Sequence, residues 1–153
     1  MRRKPDAEPD PSTLRRRALD LLARREHGRR ELAQKLQARG FDADQVHLVI
    51  GELEAEGLVS EARYAESYVR SRVARGIGPV RLRGELAARG VEEAEIERAL
   101  SSAAVDWHEL AGEVRTKRFG PARPADFRER ARQARFLHQR GFGSEHIRCA
   151  LDE

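Results

Sequence analysis

Arg39-Gly40-Phe41, Arg89-Gly90-Val91 and Arg140-Gly141-Phe142 are three copies of one short phrase, with their glycines 50 and 51 residues apart. Each sits at the same point of a longer pattern. Leu36, Leu86 and Leu137 lie four residues before the glycine. Val46, Ile96 and Ile147 lie six after it, and Ile50, Leu100 and Leu151 ten after. Self-similarity at a fixed period marks a tandem repeat. The chain therefore reads as three copies of one unit.

The phrase has a local physical meaning. A helix often ends on a residue in the left-handed region, and glycine fits there because it has no Cβ to clash. The residue after that glycine then touches an apolar residue in the last helical turn. This pairs Phe41 with Leu36, Val91 with Leu86 and Phe142 with Leu137. The preceding arginine suits the negative end of the helix dipole. So one helix ends at each Arg-Gly and another starts two or three residues on. Asp42 with Gln45, and Asp106 with Glu109, stand where capping boxes open helices.

Each unit extends backwards into a further helix. Leu14, Ala18, Leu21 and Leu22 keep helical spacing, as do Ala65, Val69 and Val73 with Tyr64 and Tyr68 beside them. Leu110 and Val114 do the same in the third unit. The fold class is all-α: three tandem three-helix repeats over residues 12–57, 58–104 and 105–153. Residues 1–11, with three of the six prolines, read as a disordered tail. Gly28, Leu32 and Leu36 match Gly78, Leu82 and Leu86. The third repeat carries a longer break at Phe119–Pro124.

Of the 153 residues, 39% are hydrophobic and 37% charged, a thin core for one globule and a better match to small bundles sharing apolar contacts. The single Cys149 excludes an internal disulfide and reads as a small buried residue. The start has no apolar run of secretory type, and no stretch approaches the roughly 20 apolar residues of a membrane span. A cytoplasmic, membrane-free protein is expected.

Formal net charge is +4, but its distribution says more. Residues 62–90 hold seven arginines against Glu66 and Glu85, residues 115–140 are also basic, and 31–60 and 91–113 are acidic. A stripe of arginines is the footprint of an anionic partner, nucleic acid or acidic protein. Catalysis finds little support. The five histidines form no i, i+4 metal pair, although eight residues separate His138 from His146. Gly76-Ile77-Gly78-Pro79 looks like a phosphate loop, but reads better as a turn into a helix with proline at its first position. No catalytic residue, cofactor or metal site is expected, and the chain is not read as an enzyme.

Two stretches resemble the RecX family of bacterial regulatory proteins: Arg63-Tyr64-Ala65-Glu66-Ser67-Tyr68-Val69-Arg70-Ser71-Arg72 after Leu53–Val59, and Gly76–Leu86 with its Gly-Pro and Glu-Leu. So does the end, Arg135–Phe142 followed by Ile147–Leu151. The resemblance covers about residues 14–152. It implies an elongated, curved array of repeats, of either hand. It also implies a non-enzymatic modulator that binds the RecA–DNA filament and restrains its ATPase, strand exchange and coprotease activities, within DNA repair, homologous recombination and the SOS response. Direct binding to DNA is expected to be weak and non-specific, and the protein a monomer. The candidate interface with RecA or DNA is Arg70, Arg72, Arg75, Arg81 and Arg83, while Tyr64 and Tyr68 are expected to pack the middle repeat. The main alternative is a helix-turn-helix transcriptional regulator. Its reading helices would carry Glu52, Glu54 and Glu56, or Glu92, Glu93, Glu95 and Glu97, which phosphates repel. A plain protein–protein scaffold is the third reading.

Overall fold

The computed structural model describes residues 9–152. Among these are a 3-10 turn at Pro11–Thr13, nine α-helices and no strand. In chain order the helices are α1 (Leu14–Arg24), α2 (Arg29–Ala38), α3 (Ala43–Ala55), α4 (Glu61–Ala74), α5 (Pro79–Ala88), α6 (Glu93–Ser102), α7 (Trp107–Phe119), α8 (Phe127–Gln139) and α9 (Ser144–Asp152). They form three sets of three. Residues 1–8 of the expected tail lie outside the described residues. The turn into α1 begins at the end of that stretch, where the Asp10 carboxylate accepts from Ser12 N and Ser12 Oγ.

The expected helix stops are present. Gly40, Gly90 and Gly141 have φ of +94°, +83° and +94°. At the first, Phe41 N donates to Leu36 O (3.4 Å) and Gly40 N to Gln37 O (2.9 Å). Phe142 to Leu137 and Gly141 to His138 repeat this at 3.2 and 2.9 Å. These two bonds satisfy carbonyls that a helix end leaves bare. The same pair of bonds ends α3 at Gly57 and α4 at Gly76, two stops not singled out from the sequence. At the other ends, Asp42, Asp106 and Asp126 accept from the amides of Gln45, Glu109 and Glu129.

The end of α6 does the same job without glycine. Ala104 is the one non-glycine with positive φ among the described residues, at +50°. It stands where Gly57 stands in the first repeat. Holding a Cβ there costs about 1–2 kcal/mol, of which glycine's extra unfolded-chain entropy returns part. Ala104→Gly is therefore expected to stabilise the protein by about 0.5–1 kcal/mol, raising Tm by about 1–4 °C. An unchanged or lower Tm would contradict the left-handed assignment.

The chain gathers into two compact units: 9–64 with Arg89–Val91, and Ala65–Ala88 with 92–152. In the first, Leu14, Ala18, Leu21, Leu32, Leu36, Phe41, Val46, Ile50 and Leu53 form one buried cluster. These are the periodic residues of α1, α2 and α3, and the residue after Gly40. In the second, Ala111, Leu137, Phe142, Ile147, Ala150 and Leu151 form the core of the third repeat, beneath half-buried Trp107, Leu110, Val114 and Phe136. Cys149 beside it is only half-buried, not fully buried as expected.

The grouping of Arg89–Val91 with the first repeat has a local cause. Arg89 Nη1 donates to Tyr64 Oη at 3.2 Å and lies 3.6 Å from the Glu31 carboxylate. A Cβ on Gly90 would come 2.9 Å from Arg30 Cδ. The second Arg-Gly corner thus lies on the first turn of α2. The third corner treats α5 likewise. Gly78 N donates to Arg140 O at 2.7 Å and Val80 N to Gly141 O at 2.9 Å. Arg140 Nη1 donates to Arg75 O, and Arg81 Nη1 to Gln139 O. So the corner that stops one helix also covers the start of the second helix of the preceding repeat. At the first corner, the neighbour of Gly40 is Pro9.

Candidate partner-binding surface

The seven arginines of residues 62–90 have different fates. Arg63 donates to Glu26 and to Gly57 O. Arg89 is held by Tyr64 and Glu31. Among the interface candidates, Arg72 makes a bidentate pair with Glu85, at 2.6 and 3.0 Å. Arg81, one turn before Glu85 on α5, donates to the same carboxylate at 2.9 Å. Tyr68 Oη donates to it at 2.6 Å. Tyr68 and Arg72 are one turn apart on α4, so two i, i+4 pairs from neighbouring helices converge on one acid. Arg83 pairs with Glu97 at 2.6 Å, both half exposed. Arg70 and Arg75 are exposed, and neither side chain meets a carboxylate among the described residues.

Glu85 is thus a structural hub that the sequence reading passed over. Burial would raise its carboxyl. The hydrogen bonds from Arg72, Tyr68 and Arg81, together with the charge of Arg72, outweigh burial and hold it at about 2. Glu31, at a different position of the repeat, plays a similar part in the first unit, where it meets Arg25 and Arg89. Burial opposes its ionisation, and the hydrogen bond from Arg25 leads the groups that bring it below the usual range. The signal for such hubs is a lone acid in a basic stretch, set one turn from a basic or aromatic residue.

Arg75 leads to a different place. It stands at the end of α4, on the rim of a groove of about 620 Å³ whose other walls are α7 and α8. Val73, Leu110, Val114 and Phe136 supply apolar surface. Arg75, Lys117, Arg118 and Arg140 supply cations, with Glu113 the one acid. Arg118 and Arg140 lie 5.7 and 5.2 Å from the Phe136 ring centre, within cation–π range. Phe119 packs edge-on against Phe136 and carries Arg118 and Arg132 at 5.9 and 5.1 Å. The basic stretch 115–140 thereby joins one of the five candidates from 62–90. Sequence spacing could not show this, since Arg75 and Arg140 are 65 residues apart.

Other chemical readings meet local obstacles. The first amides of α5, which a phosphate loop would need free, are occupied by Arg140 O and Gly141 O. The turn at Gly76–Pro79 accordingly opens a helix with proline first, as the sequence indicates. His146 lies against His108, not His138, with ring centres 4.6 Å apart. Burial and the His108 charge lower its pKa. No three His, Cys, Asp or Glu side chains gather as a metal site among the described residues. No described helix is long and apolar enough to cross a membrane.

Models of the first, second and third three-helix domains of RecX match residues 15–53, 60–100 and 105–151. The chain belongs to the RecX family. The regulatory protein RecX of Halorhodospira halophila is 56% identical over 133 residues, covering 87% of this chain and 83% of that one. RecX of Pseudomonas savastanoi pv. phaseolicola is 50% identical over 132 residues, covering 86% and 85%. The crystal structure of RecX from Lactobacillus salivarius superposes with a TM-score of 0.76 at 23% identity, covering 93% of this chain and 94% of that one, a likeness of fold. The RecX relatives are named regulatory proteins, and the three-helix repeats read from the Arg-Gly phrases are the three RecX domains.

Proposed function

We propose that this RecX-family chain binds the RecA nucleoprotein filament and restrains RecA's recombinase, ATPase and coprotease activities. The observation that carries the reading is the match of all three RecX domains in order along one chain. The exposed cations support it, because a filament presents acidic protein surface and DNA phosphate together. The chain acts as a monomer in the cytoplasm without catalysis, and its direct contact with DNA is weak and non-specific. A helix-turn-helix operator reader would need basic third helices, but α3 and α6 carry Glu52, Glu54, Glu93, Glu95 and Glu97.

All five arginines remain in the proposed interface set, with unequal freedom. Arg70 and Arg75 reach solvent, whereas Arg72, Arg81 and Arg83 are engaged with Glu85 and Glu97. Reversing Arg70 and Arg75 together to glutamate is expected to weaken inhibition of RecA's DNA-dependent ATPase by about tenfold or more and to flatten its salt dependence, with the fold intact. Reversing Arg72 instead is expected to lower stability first. ATPase titrations at two salt concentrations, alongside urea unfolding, separate the two. Undiminished inhibition by the Arg70/Arg75 variant would remove these residues from the contact, and protection of one discrete genomic site in footprinting would favour the operator reader.

A further inference from the structure

We infer that the groove between the end of α4 and helices α7 and α8 takes an acidic, amphipathic segment of a protein partner, with carboxylates on the cationic rim and apolar side chains on the floor. This deepens the filament-regulator reading and rests on it for the existence of a protein partner. The chemistry of the groove stands on its own residues.

The rim cations are uncompensated. Arg75, Lys117, Arg118 and Arg140 meet no carboxylate within salt-bridge distance among the described residues, whereas Arg72, Arg81 and Arg83 all do. Glu113 is the one acid of the lining against its four cations. Two of the cations are already positioned: Arg118 and Arg140 lie over Phe136, and Arg140 also donates to Arg75 O. A guanidinium held on a ring keeps N–H edges free for a carboxylate and loses little freedom on binding. Apolar Val73, Leu110 and Val114 lie beside them, giving a mixed surface that a purely ionic partner leaves unused.

Single-stranded nucleic acid fits less well. It needs an open aromatic face for its bases, and the Phe136 ring already carries two guanidinium groups. The chain's own first residues balance Arg2, Arg3 and Lys4 with Asp6, Glu8 and Asp10, and between Met1 and Pro11 they hold no large apolar side chain to fill the floor. A volume of about 620 Å³ suits a few side chains of an extended segment.

The test uses the full chain and a fluorescent peptide of glutamates flanking a Leu-Phe pair, followed by anisotropy. Controls are the peptide with glutamine for glutamate, the peptide with serine for Leu-Phe, and an oligothymidylate of equal charge. The parent peptide is expected to bind at least about tenfold more tightly than any control. It should shift the Gly76 and Val114 amide resonances. Lys117→Gln with Arg118→Gln, both exposed residues, is expected to lose about tenfold in affinity while circular dichroism stays unchanged. Preferential binding of the oligonucleotide, equal binding of the serine control, or undiminished binding by the double variant would each overturn the inference. RecA ATPase inhibition is measured with the same preparation. Inhibition without peptide binding sinks the groove inference alone; peptide binding without inhibition sinks the filament reading and leaves the groove.

Discussion

Replacing Glu85 with glutamine is expected to destabilise the protein by about 2–3 kcal/mol at neutral pH. The substitution keeps the shape of the side chain and removes its charge. Arg72, 22% exposed, then loses its bidentate carboxylate partner, and Tyr68 and Arg81 lose a charged acceptor. The pH dependence gives the effect a signature. The folded carboxyl titrates at about 2 against an ordinary 4.5, so the unfolded chain takes up the proton first as pH falls. The contribution is complete above about pH 4.5 and is lost as pH drops through the folded value near 2. Wild type and Glu85→Gln should therefore differ strongly in urea unfolding at pH 7 and converge towards pH 2. A difference that stays constant with pH would show that charge is not what Glu85 contributes.

A second large effect is expected at Gly78, for a reason that spacing alone does not reveal. A Cβ there would come 2.5 Å from the Gly141 carbonyl carbon and oxygen and 2.7 Å from Phe142 N, all backbone atoms without a rotamer to escape into. Admitting the methyl forces the third corner off the start of α5. That breaks the bonds from Gly78 N to Arg140 O and from Val80 N to Gly141 O. Gly78→Ala is expected to cost about 3 kcal/mol or more. Gly51, Gly84 and Gly112 lie within helices with nothing near the position of a Cβ. Alanine at those sites is expected to add about 0.5–1 kcal/mol each. Urea unfolding of the four single variants decides the matter. If Gly78→Ala behaves like Gly84→Ala, the corner does not sit on α5 as described.

Local features of the fold were legible in the sequence and non-local ones were not. The stop at Gly40, the caps at Asp42 and Asp106 and the proline at the start of α5 each depend on residues within one turn. Ala104 carries no such mark, because alanine gives no sign of a left-handed backbone. The second role of the Arg-Gly corners was also hidden. What Gly90 and Gly141 touch lies on α2 and α5, some 60 residues earlier in the chain.

The candidate site divides the same way. The stretch of residues 62–90 is strongly basic, yet beyond its own Glu85 it draws acids from elsewhere: Glu26 for Arg63, Glu97 for Arg83 and Glu31 for Arg89. Counting charge along the chain therefore overstates how many arginines remain open to a partner. Arg75 keeps its place through what α7 and α8 bring to it, not through its neighbours in sequence. The RecX resemblance, by contrast, was carried by short contiguous motifs. It identified the family before any geometry was available.

The central claim is that this chain restrains RecA by acting on its filament. Its most direct test is to assemble RecA filaments on single-stranded DNA, add the purified protein, and follow filament length by electron microscopy together with ATP hydrolysis. The account predicts fewer or shorter filaments, or filaments of unchanged length that hydrolyse ATP more slowly, with the effect weakened by reversing Arg70 and Arg75. Filaments unchanged in both length and ATPase at saturating protein would contradict it.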